Sequence, residues 1–576
     1  MVNLIINKKQ ISVPEGTTIL EAAKLAGIRI PTLCYLKEIN EIGACRICCV
    51  EVEGKDQLVA SCNTKVVEGM VVNTRSAKAL DARRTNLQAI LAQHDFRCAS
   101  CVRQQNCTLR TICEEMNITN VPFEQDYEKN NWVEDFPLQR DASKCIKCMR
   151  CVQICDKVQG INIWDMKKNG KRTTIGVTGG ISIDQSKCVL CGQCITHCPT
   201  GALHELDETR KLQRAIADPE KIVVVQVAPA VRSAWADDLG IAPELATEKR
   251  MAAAIKELGA DYVFDTNFSA DLTIMEEGTE LLERLAKAEE YSWPMFTSCC
   301  PGWVRYVKSQ YPEFTGNLST AKSPQQMFGA VAKTYFADKV LDVDRNKIYS
   351  VSIMPCTSKK GEIKIPNIND AEAGKDVDLV LTTRELGRLL RAEYIDVASL
   401  DEAEFDSPLG EGSGAGVIFG ATGGVMEAAL RTVYAVLEGK NPEADAFQVV
   451  RGLDGIKEAT VTIAGKEIKA AVVSGLANTR KLLEKIKKGE VDYDFVEVMA
   501  CPGGCAGGGG QPIVDGVELA GPRGQKLYAL DAANVLRFSH ENKSVQAAYE
   551  NYFEKPNSHL AHELLHTDHF GWEMPR

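Results

Sequence analysis

Two cysteine runs of the same spacing, Cys145-x2-Cys148-x2-Cys151-x3-Cys155 and Cys188-x2-Cys191-x2-Cys194-x3-Cys198, constrain this chain more than any other feature. Runs of this form hold two iron–sulfur clusters, and the fourth cysteine of each run crosses to the other cluster because the chain folds as two pseudo-symmetric halves. The expected sets are Cys145, Cys148 and Cys151 with Cys198, and Cys188, Cys191 and Cys194 with Cys155, each around a [4Fe–4S] cluster. Zinc does not use paired runs of this kind, and the pair is the one clear internal repeat. Pro199 follows Cys198 but Asp156 follows Cys155, so the local turn is expected to differ between the halves.

Upstream, residues 2–13 alternate apolar and polar around Asn7-Lys8-Lys9, which predicts a hairpin. Thr18-Ile-Leu-Glu21 reads as a capping box opening a helix that Gly27 closes. This pattern suits a β-grasp ferredoxin-like domain over residues 1–80. Cys34, Cys45, Cys48 and Cys62 follow C-x10-C-x2-C-x13-C, enough for one [2Fe–2S] cluster; the spacing is not C-x4-C-x2-C, and a four-thiolate zinc site stays open here. Cys49 reads as a small buried thiol. Residues 81–96 predict a helix ending at His94, followed by Cys98, Cys101 and Cys107 in the pattern H-x3-C-x2-C-x5-C. Three cysteines at this spacing turn a histidine from a structural residue into a ligand, and an imidazole in place of a thiolate alters a cluster's potential. Residues 81–123 thus form a [4Fe–4S] domain with one histidine and three cysteine ligands, and 124–208 a two-cluster ferredoxin-like domain. Cys113, on the helical stretch LRTICEEM, receives no role.

The 22 cysteines of 576 residues are too dilute for a disulfide scaffold and too clustered for scattered structural thiols. Lys+Arg 67 against Asp+Glu 78 gives a net charge of −11, which argues against a grip on nucleic-acid phosphates or anionic membranes. The N-terminus lacks a basic segment leading into an apolar core, and the longest apolar stretch, around Ile222–Val231, is far below spanning length. A cytoplasmic protein is expected.

From about residue 209 the chain alternates strand-like and helical segments, among them IVVVQVAP, KRMAAAIKELGA, KIYSVSIMP and TTRELGRLLRAEY. This predicts a large α/β domain over 209–576 with its site at strand ends. The overall fold class is multidomain α+β, with three small iron–sulfur domains before the α/β one. Cysteines recur only in TSCCPGW (297–303), MPCTSKK (354–360) and EVMACPGGCAGGGGQP (497–512). Glycines 503, 504 and 507–510 are expected to let backbone approach a bulky group and offer it N–H donors.

At these three motifs the chain resembles the catalytic domain of the iron-only, or [FeFe], hydrogenases, and its upstream cysteine patterns resemble those of long clostridial-type members, together covering essentially the whole chain. The first two N-terminal sites also resemble the large iron–sulfur subunit of respiratory complex I. The resemblance implies an H-cluster: a [4Fe–4S] cubane held by Cys300, Cys356, Cys501 and Cys505, with Cys505 bridging to a two-iron unit that carries CO, cyanide and a bridging dithiolate amine (azadithiolate). It implies that Cys299 exchanges protons with that amine and that Glu277, Ser319, Glu280 and Arg284 continue the proton path outward. Lys359 is implied as partner of one cyanide, the backbone of Ala228-Pro229-Ala230 as partner of the other, and Met354 and Met499 as soft walls. The implied activity is 2H⁺ + 2e⁻ ⇌ H₂, with ferredoxin or a similar one-electron carrier as partner and hydrogenase maturation factors supplying the two-iron unit.

Other readings are weaker. Without the resemblance, Glu277 and Glu280 read as a solvated acidic helix face. His562-Glu563-Leu-Leu-His566 is a literal zinc-peptidase signature, but it lacks the HExxHxxGxxH extension, and a terminal helix packing Leu560, Leu564 and Leu565 explains it. An iron–sulfur assembly relative would not need Cys299, Lys359 and a glutamate relay. An H₂ sensor would carry a signalling domain, and GEGSGAGVIFG fails the spacing of a dinucleotide loop.

Overall fold

Asn7 and Lys8 take left-handed φ angles of 48° and 71°, the conformation of a two-residue hairpin turn, and so join β1 (Val2–Ile6) to β2 (Lys9–Val13). The computed structural model describes residues 1–129 and 132–575; residues 130–131, inside the expected 124–208 domain, and residue 576, at the end of 209–576, lie outside the described residues. β3 (Cys49–Val52), β4 (Val59–Ala60) and β5 (Met70–Asn73) complete a sheet of order β2-β1-β5-β3-β4, in which β1 and β5 run parallel. The helix Ile19–Leu25 buries Ile19, Leu20, Ala22 and Ala23 in the same core. Only half of the capping box forms. The Thr18 hydroxyl accepts from the Glu21 amide at 3.3 Å, while the Glu21 carboxylate accepts from the Tyr35 hydroxyl at 3.0 Å instead.

The next helix is Ala77–Ala92, not 81–96. It starts early because the Ser76 hydroxyl caps it by accepting from the Ala79 amide at 3.3 Å. It stops two residues before His94, where the Asp95 amide is drawn to the Ser143 carbonyl at 2.8 Å. Beyond it, β6 (Leu138–Arg140), the hairpin β7 (Trp164–Lys167) with β8 (Thr174–Val177), and β9 (Leu203–Glu205), which returns antiparallel to β6, frame the duplicated runs. The two halves do differ at their fourth cysteine. The first run continues as a helix, Arg150–Gln153 and then a wider π turn over Ile154–Val158, whereas the helix of the second, Gln193–Thr196, ends before Cys198-Pro199, as the residues ahead of a proline tend to leave the helix.

The rest is built on β10 (Ile222–Val227), β11 (Tyr262–Asp265), β12 (Met295–Phe296), β13 (Ile348–Met354), β14 (Leu379–Thr382), β15 (Ile456–Ile463), β16 (Lys466–Ser474) and β17 (Phe495–Met499). One sheet is wholly parallel, in the order β11-β10-β13-β14. The other, β12-β17-β16-β15, is parallel except for its β15–β16 hairpin. β10 runs into Ala228, β13 into Cys356, β12 into Cys299 and Cys300, and β17 into Cys501. All three cysteine motifs therefore leave the carboxyl ends of parallel strands, where α/β sheets place their sites.

Two glycines of the last motif also give clearance for close backbone packing. A Cβ on Gly508 would stand 2.2 Å from the Pro355 carbonyl oxygen, and one on Gly509 2.2 Å from that of Cys191. Their bareness lets the loop press against other backbone, including the second accessory run. Arg384 locks this junction: its guanidinium donates to Glu205 at 2.6 and 3.1 Å and to the carbonyls of Gly509 and Gln511 at 2.7 and 2.6 Å. Both members of the pair are buried.

Arg388 also donates to Glu205 at 2.6 Å, so loss of Arg384 leaves that carboxylate half-compensated and strips the Gly509 and Gln511 carbonyls of their donor. Arg384→Met is expected to destabilise the full chain by about 1–3 kcal/mol, read as a lowered denaturation midpoint under anaerobic conditions. A loss under about 0.5 kcal/mol, the size of an ordinary surface substitution, would show that the clamp carries no stability.

Candidate active site

In the N-terminal sheet domain the four thiols meet in pairs. Donation from Cys45 holds the Cys34 thiol down at about 6, and donation from Cys62 does the same for Cys48, also at about 6. Next along the chain, one cavity is lined by Cys145, Cys148, Cys151 and Cys198, and another by Cys155, Cys188, Cys191 and Cys194. The sets cross between runs in the way the spacing predicts. His94, Cys98 and Cys107 line a third, larger cavity, while the Cys101 thiol turns toward Gly201. His94 Nδ1 sits 3.1 Å from the Lys144 carbonyl, which orients the ring and leaves Nε2 as the nitrogen that could bind a metal.

These sets adjoin one another. The Asn40 amide donates to the carbonyls of Cys34 (2.7 Å) and Cys148 (2.9 Å). Arg103 donates to the Cys198 carbonyl at 2.9 Å, and the Cys107 thiol lies 3.8 Å from the Pro199 carbonyl. Both outer sites therefore abut the Cys145 set. On the inner side the Cys501 thiol is 3.8 Å from the Cys191 carbonyl, and Thr357 and Ser358 donate to the carbonyls of Leu190 and Val189 at 2.6 and 3.0 Å.

Cys300, Cys356, Cys501 and Cys505 converge between the two sheets. Burial and the neighbouring thiols push three of them up: Cys356 to about 11 through burial and the Cys300 charge, Cys501 through burial and the charges of Cys356 and Cys300, and Cys505 well above the usual thiol value through burial and the other three. Four thiols so placed cannot all ionise beside one another without a cation among them. An all-thiolate donor set fits an iron–sulfur core.

Around this cage Cys299 is buried, and its thiol is raised by burial and by the charges of Glu277, Cys300 and Cys505. Lys359 Nζ donates to the Cys299 carbonyl at 3.1 Å and pairs with Glu362 at 3.0 Å. Met354 and Met499 end their strands buried at 3% and 2% exposure, and Ala228-Pro229-Ala230 is buried beside them, with Gln511 donating to the Ala230 carbonyl at 2.9 Å.

The helix Thr266–Ala286 carries Glu276, Glu277, Glu280 and Arg284, all buried. A solvated acidic face is ruled out. Glu277 is 1% exposed and neither of its oxygens closes a hydrogen bond, although the Ser319 hydroxyl and Ser298 amide lie near. Burial, then the Glu280 charge, push it up to about 8. Glu280 is fully engaged. It accepts from the Ser319 hydroxyl at 2.7 Å, from the Thr320 amide at 3.1 Å and from Arg284 at 2.5 Å. Arg284 also covers the Tyr291 ring.

Several residues had no motif to announce them. Gln325 joins Glu362 at 2.9 Å to the Ser352 hydroxyl at 2.7 Å. Glu362 was findable, because it stands three positions after Lys359 on one helical turn. Glu497, fully buried two residues before Met499, accepts from the amides of Gly423 and Met426 at 2.7 Å each, and burial raises it to about 7. The zinc-peptidase signature dissolves: His566 lies past the helix His559–Leu565, its nitrogens taken by Thr320 (2.8 Å) and Glu276 (3.0 Å), while Leu564 and Leu565 are buried and Leu560 packs beside them. In GEGSGAGVIFG, a Cβ on Gly412 or Gly414 would meet Asn267 or Asp531 at 2.1 Å, so these glycines serve helix packing.

Residues 221–509 match the family described as iron only hydrogenase large subunit, C-terminal domain, and residues 518–572 match the iron hydrogenase small subunit. Upstream, residues 1–77 match a 2Fe-2S iron-sulfur cluster binding domain, which weighs against zinc at the Cys34 set; 83–122 match the NADH-ubiquinone oxidoreductase-G iron-sulfur binding region, and 144–202 a 4Fe-4S dicluster domain. The chain is 46% identical to the NADP-reducing hydrogenase subunit HndD of Solidesulfovibrio fructosivorans over 99% of each chain. It is 41% identical to Iron hydrogenase 1 of Clostridium pasteurianum over 98% of this chain and 99% of that one. A structure of [FeFe]-hydrogenase HydA1 from Chlamydomonas reinhardtii superposes with a TM-score of 0.56 at 44% identity, covering 62% of this chain and 98% of that one.

Glu277 should hold its proton near neutral pH. A protonated-carboxyl C=O band in the infrared spectrum is expected to titrate away near pH 8 and to be missing in Glu277→Gln. Between its unfolded pKa of about 4.3 and that value, the folded state binds the extra proton. Its contribution to stability is therefore complete below the lower value and is lost as pH rises through the upper one, and Glu277→Gln should flatten that part of the stability profile. A Glu277 band already absent near pH 6 would contradict the assignment.

Proposed function

The chain belongs to the iron-only hydrogenase family, and on that premise we propose that it interconverts protons and H₂ at the cage of Cys300, Cys356, Cys501 and Cys505, drawing electrons from ferredoxin or a similar one-electron carrier. When bound, an H-cluster supplies the redox chemistry of 2H⁺ + 2e⁻ ⇌ H₂. The four cysteines would hold its cubane, with Cys505 as the bridge to the two-iron unit delivered by maturation factors.

The protein's own part is protonic and positional. Cys299 presents a buried thiol beside the cage, suited to holding a proton and passing it on. Glu277 lies behind it, protonated near neutral pH and free of competing hydrogen bonds. The Ser319 hydroxyl stands between Glu277 and Glu280, so its rotation can hand a proton from one carboxyl to the other. Arg284 holds Glu280 in place at the outer end of this path. Lys359, held by Glu362, would offer its charge to the ligands of the two-iron unit, and Ala228-Pro229-Ala230 would offer them backbone. Met354 and Met499 keep water out. The observation that carries this reading is Glu277, a buried carboxyl with unpartnered oxygens between Cys299 and Ser319, beside four converging thiols.

The accessory sets would hold one [2Fe–2S] cluster in 1–80, one [4Fe–4S] cluster on His94, Cys98, Cys101 and Cys107 in 81–123, and two [4Fe–4S] clusters in 124–208, leaving 209–576 as the catalytic domain. Their adjacency offers a carrier two entry sites that converge on the Cys145 set. Among the described residues no helix is long and apolar enough to cross a membrane, in keeping with a cytoplasmic enzyme. One relative's name makes it a subunit of an NADP-reducing hydrogenase. With its GEGSGAG glycines taken up by helix packing, this chain would leave any nicotinamide to another subunit.

Anaerobically matured protein is expected to contain about 20 irons and to evolve H₂ from a reduced one-electron dye. Cys299→Ala should keep the iron and lose at least about 100-fold in rate, whereas Cys505→Ser should lose the two-iron unit as well. Fully loaded protein that neither makes nor consumes H₂ would end this reading.

A further inference from the structure

Besides Cys299, two cysteines stand outside every ligand set, and their surroundings separate them. Cys49 is buried, and its thiol contacts the Ala79 carbonyl at 3.8 Å. It is a satisfied core thiol. Cys113 is half-buried on the helix Thr108–Glu115, at the edge of the core formed by Leu87, Leu91, Leu109 and Ile112. It forms no disulfide. It lines the cavity of about 460 Å³ together with His94, Cys98 and Cys107, and it lies within the electric field of both of those cysteines. Four ligand-type side chains thus face one space, which is large enough for a polynuclear cluster and for an exchange of its ligands.

We propose that Cys113 is a reserve ligand of the outer four-iron cluster, able to take the coordination position of His94. The inference rests on the reading of His94, Cys98, Cys101 and Cys107 as a cluster site. The exchange breaks one iron–nitrogen bond and forms one iron–sulfur bond. The Cys113 proton leaves to water, and no iron changes oxidation state. A thiolate in place of a neutral imidazole adds one negative charge to the ligand set, which favours the oxidised cluster and lowers its potential. His94 is the natural member to be displaced. It lines the same cavity as Cys113, just past the end of the helix Ala77–Ala92, and it is the one neutral, non-thiolate donor in the set.

The test uses the full matured chain and four variants: His94→Ala, Cys113→Ala, the double variant, and Cys98→Ser as a control. Iron content and low-temperature EPR of the reduced protein are the readouts. His94→Ala is expected to keep its iron with a shifted EPR signal, Cys113→Ala to resemble the unaltered chain, and the double variant to lose about four irons. Equal iron loss in His94→Ala and the double variant overturns the proposal, as does equal retention. Cys98→Ser with undiminished iron would instead overturn the reading of the cluster site. Should the double variant fail to fold, alkylation mapping of the others decides. Cys113 should react in the unaltered holoprotein and be protected in His94→Ala, and reaction in both overturns the proposal.

Discussion

Thiols gathered out of water are the constraint on which this molecule depends. A buried thiolate is costly and several together are costlier, because each charge opposes ionisation of the next. The four thiols gathered between the two large sheets show this directly, with Cys356 and Cys505 both pushed upward by burial and by their neighbours. Such a cage is stable only around a positively charged core. The fold is arranged to assemble cages from distant segments: Cys198 returns to the Cys145 run, and Cys501 arrives on a different strand from Cys300 and Cys356. Cluster formation and tertiary structure are therefore linked, since ligands that are remote in sequence meet only in the folded state.

The same low-dielectric interior gives two neighbouring carboxyls unlike surroundings. Glu280 accepts from Ser319, Thr320 and Arg284. Glu277, one turn earlier on the same helix, has burial and a like charge for company and keeps its proton to about pH 8. Adjacent carboxyls in such unlike surroundings are what directional proton movement requires. The helix supplies the spacing, and the serine on a separate loop supplies the link.

Much of this was legible in the residue order. Ligand spacings, the crossing of the two runs, the hairpin at Asn7-Lys8, and the strands and helices around IVVVQVAP and KIYSVSIMP all follow from local pattern. Where local pattern misled, a distant partner had intervened. Tyr35 drew Glu21 away from its capping box, and Ser143 pulled the chain out of helix before His94. Gly508 and Gly509 also give clearance for the backbone of Pro355 and Cys191, a demand that no local pattern announces. Gln325 and Glu497 belong to no motif, and their importance comes from what faces them.

By itself the sequence determined which atoms can bind metal and in what grouping, because cluster ligation selects cysteine and short spacings are preserved in any fold that uses them. Only the tertiary structure decided which sets adjoin, which glutamate is neutral, and that His566 is occupied by Glu276 and Thr320 instead of a metal. Those outcomes depend on burial and on contacts between residues tens to hundreds of positions apart, and neither quantity exists until the chain has packed.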